Sequence, residues 1–272
     1  MTERSSEGRK APLFYEGLLG GYVLTHNLIL LGSLASLLAG LATAIGAFPL
    51  LFTSNISDKL LDAALGFSAG VMLAASAFSL LVPAIELAGI GRVVLGLLVG
   101  AMFVDIADRL IPHEHIFKGY EGPPSKLSRV SLMILAITIH NFPEGMAVGV
   151  SFGGEDISTG LVVSLAIAIQ NIPEGMAVAF PMLREGFNKR KAAWYAALSG
   201  LVEPIGGLLG ISLVSTVKPI LPIAMAFAAG AMIFVVSDEM IPESHSRGYE
   251  RIATFGAVMG FAVMMFLDNL FG

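Results

Sequence analysis

Eight long apolar stretches run through this sequence, and they leave a water-soluble fold out of reach. A membrane helix needs about 20 mostly apolar residues. The stretches lie at roughly 28 to 52, 60 to 86, 91 to 111, 130 to 152, 158 to 183, 192 to 216, 219 to 241 and 251 to 271, parted by connections rich in glycine, proline or charge. Charged residues make up 14% of the chain, where an ordinary soluble domain carries about 25%. The pattern predicts an all-α integral membrane protein, one domain of eight transmembrane helices over 28 to 272 behind an N-terminal tail or lead-in of residues 1 to 27. Residues 13–27 are too short and too interrupted, by Gly20, Gly21 and His26, for a ninth span. Residues 1–12 lack the apolar centre of a cleavable signal peptide.

Lysine and arginine set the expected orientation. Lys59, Arg109, Lys118, Lys126, Arg129, Arg184, Lys189, Arg190, Lys191, Arg247 and Arg251 fall in connections on one side, against Arg92 and Lys218 on the other. The positive-inside rule then puts both termini outside and the long loop, about 112 to 129, in the cytoplasm, as expected for a plasma (cytoplasmic) membrane protein. A net charge of −5 with no concentrated basic surface speaks against a nucleic-acid partner. With no cysteine, the chain can offer a metal only nitrogen, oxygen or thioether sulfur.

Residues 139–148, Ile-His-Asn-Phe-Pro-Glu-Gly-Met-Ala-Val, match residues 169–178, Ile-Gln-Asn-Ile-Pro-Glu-Gly-Met-Ala-Val, at eight of ten positions. A weaker echo joins Ile111-Pro112-His113-Glu114-His115, with its later Gly119-Tyr120-Glu121, to Ile241-Pro242-Glu243-Ser244-His245 with Gly248-Tyr249-Glu250. Helices four and five are consecutive and so antiparallel. Their repeated segments should meet at mid-membrane, as in transporters built from inverted repeats.

Helical residues three and four apart share a face, so His140, Asn141 and Glu144 project together, as do Gln170, Asn171 and Glu174. Pro143 and Pro173 remove a helix hydrogen bond beside each set and are expected to kink the helices there. Glu203, followed by Pro204 in helix six, adds a third intramembrane acid. An acid at that depth costs about 2.5 to 3.5 kcal/mol on insertion scales. No lysine or arginine is expected at matching depth, whereas a divalent cation offsets two charges at once and accepts imidazole, amide and carboxylate together. Taken singly, a histidine or asparagine here could be interhelical glue. The repetition favours a metal or proton-linked site.

At these residues the chain resembles the ZIP (Zrt/Irt-like) family of divalent-metal transporters, prokaryotic type, from about residue 28 to 272. The His-Asn-x-Pro-Glu-Gly signature, its partner in helix five and the Glu-Pro of helix six carry the likeness. The resemblance implies an eight-helix core in which helices 1–3 and 6–8 form an inverted repeat around helices 4–5, a homodimer, and metal uptake toward the cytoplasm. It places His140, Glu144, Gln170 and Glu174 at a first metal site, and Asn141, Asn171 and Glu203 at a second that shares Glu144 and Glu174. It also offers Met72 as a thioether ligand; from the residues alone Met72 reads as core packing. The family pattern is broken at Asn171, where several relatives have aspartate, and at Asp238, where some have histidine. The two halves are chemically unequal, which favours one well-held metal over two.

Glu86 and Asp268 are expected at the outer mouth, as cation attractors or as solvated helix ends. Asp108, His113, His115, Asp238, Glu239, Glu243 and His245 are expected at the inner mouth, as two facing clusters for release or sensing or as a polar rim. The expected activity is transport of zinc, or of iron, manganese or cadmium, by alternating access, with helices four and five moving against the rest and with proton release on metal binding. The metal is the cargo, lipid and a second copy are the partners, and no organic cofactor is expected. A membrane-embedded metal-dependent hydrolase and a proton-coupled carrier of an organic solute are the rival readings. The first needs a free general base and the second a proton relay without a metal-type donor set.

Overall fold

In lipid every backbone polar group has to find a partner inside the protein, which leaves helices as the way to fold stretches of this kind. The computed structural model describes residues 28–115, 118–154 and 157–271; the expected lead-in of residues 1 to 27 lies outside them. Among the described residues eight helices are long and apolar enough to cross a membrane: α1 (Leu28–Leu51), α2 (Asp58–Ala88), α3 (Ile90–Leu110), α4 (Ser131–Ser151), α5 (Ile157–Arg184), α6 (Lys189–Thr216), α7 (Lys218–Ser244) and α8 (Glu250–Phe271). The protein is an integral membrane protein. Side-chain caps start three of the helices at one end of the molecule: Ser57 accepts from the Leu60 N–H, Ser128 from Ser131 and Asn188 from Lys191. Gly89, at φ +76°, lets α2 turn into α3 within one residue.

Three local features depart from the expected all-α pattern of unbroken spans. The long loop is not wholly irregular: β1 (His113–His115) and β2 (Gly119–Glu121) pair antiparallel, His113 opposite Glu121. Helix six is interrupted at Leu201 and Val202, and its second half begins at Glu203. Both α2 and α7 contain a π-helical stretch, at Ala75–Leu81 and Val236–Met240, a deviation that recurs at functional sites. The second of these carries Asp238 and Glu239, and a last helical turn, Ile241–Ser244, takes α7 beyond its expected end near 241. By contrast α4 and α5 stay helical through Pro143 and Pro173.

Packing divides the helices into two groups. α1 lies along α5 and α6, and α4 along α6; α2 lies along α8, and α3 along α7. The pattern maps onto itself when helices 1, 2 and 3 are exchanged with 6, 7 and 8, and 4 with 5. Glycine makes these approaches close, since without a hydrophobic drive in lipid small residues let backbones meet. A Cβ at Gly70 of α2 would sit 1.9 Å from the Ala257 carbonyl oxygen of α8, and one at Gly145 of α4 2.0 Å from that of Glu203 in α6. The main apolar core gathers residues of both groups, among them Ala39, Met72, Val148, Ile167 and Met232.

Candidate metal pathway

At the centre, α4, α5 and α6 bring their polar residues together in one hydrogen-bonded knot. The Gln170 Nε2 donates to Glu144 Oε2 at 2.7 Å and to Asn171 Oδ1 at 2.6 Å. Asn171 Nδ2 donates to Glu203 Oε1 at 2.6 Å and to the Ala39 carbonyl of α1 at 2.8 Å. Ser68 of α2 closes the knot, its hydroxyl 2.6 Å from Gln170 Oε1 and 2.9 Å from the Gln170 carbonyl. All five of these side chains are buried. Among the described residues Glu144 Oε1, Glu203 Oε2 and Asn141 Nδ2 are buried without a hydrogen-bond partner, and such atoms are costly unless something binds them. The break in α6 puts the Glu203 carboxylate at a helix N-terminus, where the backbone dipole favours negative charge.

His140 shares the expected face of α4 but looks toward α7, while Glu174 of α5 meets the Ser68 hydroxyl at the edge of the knot. With Asn141 they line a cavity of about 90 Å³ that continues past Glu239 and Glu243 of α7 to Glu114 and His115 of the hairpin. The His140 Nε2 lies 2.6 Å from Glu239 Oε1. His115 stacks on it with ring centroids 5.6 Å apart and planes 7° from parallel, and places its own Nδ1 3.0 Å from Glu239 Oε2. Glu239 is thus the hub between α4, α7 and the hairpin.

Ligating atoms of His115, His140 and Glu239 all fall within 4.8 Å of one another, as do those of His113, His115 and Glu121, and those of Asp108, Asp238 and Glu239. His113 Nδ1 is 2.7 Å from the Ile111 carbonyl. A proton on that nitrogen leaves Nε2 with its lone pair facing Asp108 at 3.8 Å and Glu121 at 3.7 Å. Burial pushes the His115 imidazole down to about 4, against the opposing pull of Glu239, so at neutral pH His115 is an uncharged donor. Burial works against the charge of Lys118, but its bond to Asp238 and the charges of Asp238, Glu121 and Glu239 together outweigh this and raise it. These oxygen and imidazole sets suit zinc and similar divalent cations.

The remaining expected residues are placed as follows. Met72 is fully buried in the main apolar core. Asp268, near the end of α8, accepts from the Ser79 hydroxyl of α2 at 2.5 Å, and Glu86 is exposed at the end of α2. Lys118 holds Asp238, and Arg247 holds Glu243 at 3.0 Å. His245 does not join the facing clusters: its Nε2 meets Thr254 of α8 at 3.1 Å and its Nδ1 the Ile241 carbonyl. Sequence reasoning passed over Ser68, Glu121, Asp62 and Arg247. Glu121 had a signal in the repeated Gly-Tyr-Glu, and Asp62 in being an acid inside an apolar stretch. Ser68 had none.

Acids, amides and imidazoles held at the middle of a helical bundle, with a donor-lined way out to one end, define a membrane protein that handles cations inside the bilayer. Comparison with known proteins narrows the class. The family model for the ZIP zinc transporter matches residues 118–268. Zinc transporter GufA of Myxococcus xanthus is 45% identical over 251 residues, covering 89% of this chain and 99% of its own. Zinc transporter ZIPB of Bordetella bronchiseptica is 48% identical over 251 residues, with 85% and 78% covered, and human zinc transporter ZIP11 38% over 317, with 83% and 93%. The chain belongs to the ZIP family.

Proposed function

We propose that this protein transports zinc across the plasma membrane toward the cytoplasm by alternating access, and that it is a carrier and not an enzyme. The observation that carries the reading is the continuity of donors: buried unpartnered oxygens of Glu144 and Glu203 at the centre, His140 and Glu174 beside them, and the cavity leading to Glu239 and His115. The relatives' names supply zinc; iron, manganese and cadmium suit the same donors. His140, Asn141, Glu144, Gln170, Asn171, Glu174 and Glu203 hold the cargo, Met72 approaches from α2, and Glu86 and Asp268 stand at the outer mouth. The hydrolase reading fares worse, because the relatives that match most of the chain are named zinc transporters.

Both termini lie outside in this reading, with the basic connections and the hairpin in the cytoplasm, so the cavity is the inner half of the route. All seven central residues sit on α4, α5 and α6, and α1 packs with these helices. The moving unit is therefore α1, α4, α5 and α6, wider than the pair α4 and α5 expected from sequence, and α2, α3, α7 and α8 are its frame. The exchange symmetry of the packing supports the inverted repeat. The apolar faces of α3 and α8, with Leu95, Leu98, Val258 and Phe266 exposed, meet lipid or the second copy of a homodimer. The test is zinc uptake by vesicles holding the purified protein, with His140→Ala and Glu174→Ala beside the parent: both substitutions should abolish most of the uptake.

A further inference from the structure

The hydrogen-bond pattern of the central knot fixes which way each amide faces. Each NH2 group has two acceptors: Glu144 Oε2 and Asn171 Oδ1 for Gln170, and Glu203 Oε1 and the Ala39 carbonyl for Asn171. Turning either amide over would set its oxygen against two other oxygens. The Gln170 oxygen, the one atom of that side chain able to bind a metal, therefore points away from Glu144 and Glu203 and onto the Ser68 hydroxyl, which also meets the Glu174 carboxylate. The amide hydrogens occupy the position a cation would take between α4, α5 and α6. Ser68 belongs to α2, in the other packing group.

We propose that Ser68 is a positioning residue of the empty carrier: it holds Gln170 with its oxygen withdrawn and its NH2 acting as a stand-in cation between Glu144 and Asn171. The inference rests on reading the knot as the zinc site. Zinc binding through Gln170 has to break the Ser68 bond and turn the amide, and the return of Ser68 to Gln170 helps to expel zinc. The hydroxyl thus weakens binding and speeds release in this conformation, the reverse of what a ligand or a packing group does. It also leaves the acids with hydrogen-bond donors when no metal is bound.

The test is isothermal titration of the purified full-length protein with zinc chloride against a competing chelator, together with zinc uptake in vesicles. Ser68→Ala should bind zinc about fivefold tighter, the effect of removing one ordinary hydrogen bond from the empty state alone, and should lower kcat and KM together. Ser68→Gly, which also removes the hydroxyl and adds no metal ligand, should shift both in the same direction. Ser76→Ala, which removes another buried α2 hydroxyl, outside the knot, should keep the parent values. Unchanged or weaker binding in both Ser68 variants would overturn the proposal. A parent that binds zinc but takes none up would overturn the transport reading instead, because the change in affinity is read without flux.

Discussion

Asn171 stands where an aspartate would put a second negative charge beside Glu203, and its amide instead donates to that carboxylate and to the Ala39 carbonyl. Asn171→Asp should therefore act in opposite directions on the two states. The zinc-free protein loses two buried hydrogen bonds and gains a repulsion, a destabilisation of about 1–3 kcal/mol, while the loaded protein gains a charged ligand. Thermal unfolding should show a lower midpoint without zinc and a larger upward shift on adding it; a variant with the parent's zinc shift would contradict the account. His115 makes a second prediction. Its folded pKa of about 4 lies below the ordinary 6.5, so docking of the hairpin is fully stabilised above pH 6.5 and weakens as pH falls toward 4, where the undocked imidazole takes up a proton. Glu239, Glu121, His113, His140 and Lys118 surround it. Hydrogen exchange of backbone amides over residues 113–115 and 119–121, corrected for intrinsic rates, should be faster at pH 5 than at pH 7, and equal protection at both would contradict this. The residues that meet at the centre were legible because a repeated segment with acids and amides in an apolar run has few structural explanations. Ser68 was not, since serine is ordinary in membrane helices and its partner lies 102 residues away.

Helix boundaries followed from hydropathy because the bilayer imposes length and apolarity on each span, whereas the β-hairpin, the break before Glu203 and the two π stretches depend on contacts between distant segments. Glu239 shows the cost of that: from sequence it read as one acid among several in a release or sensing cluster or a polar rim, yet the π stretch of α7 and the hairpin make it the meeting point of two imidazoles. At the same end of the molecule Arg247 joins α2 to the end of α7, 2.9 Å from Asp62 and 3.0 Å from Glu243, with its side chain only 4% exposed and that of Asp62 0%. Leaving one partner of a buried pair behind costs about 3–5 kcal/mol. Asp62→Ala should accordingly lower the unfolding midpoint far more than Asp105→Ala, which breaks the exposed pair with Arg109. Equal midpoints for the two variants would remove the structural weight placed on this pair.

Across the whole molecule, the seven central residues belong to one packing group and the frame to the other, so the proposed alternating access has the groups slide or rock past each other. Asp58 of α2 and Arg184 of α5 form an ion pair between the groups at 2.5 Å, and the chain has no cysteine to confuse a cross-linking experiment. With cysteine at both positions, a thiol-cleavable bifunctional reagent should arrest zinc uptake and reduction should restore it. Uptake at the uncross-linked rate while bridged would show that the groups need not move. The central claim is that the knot and its neighbours carry zinc, and vesicle uptake tests it most directly. The account predicts robust zinc accumulation by the parent and loss of most of it in His140→Ala and Glu174→Ala; accumulation at the parent rate in both variants, or none in the parent, would contradict it.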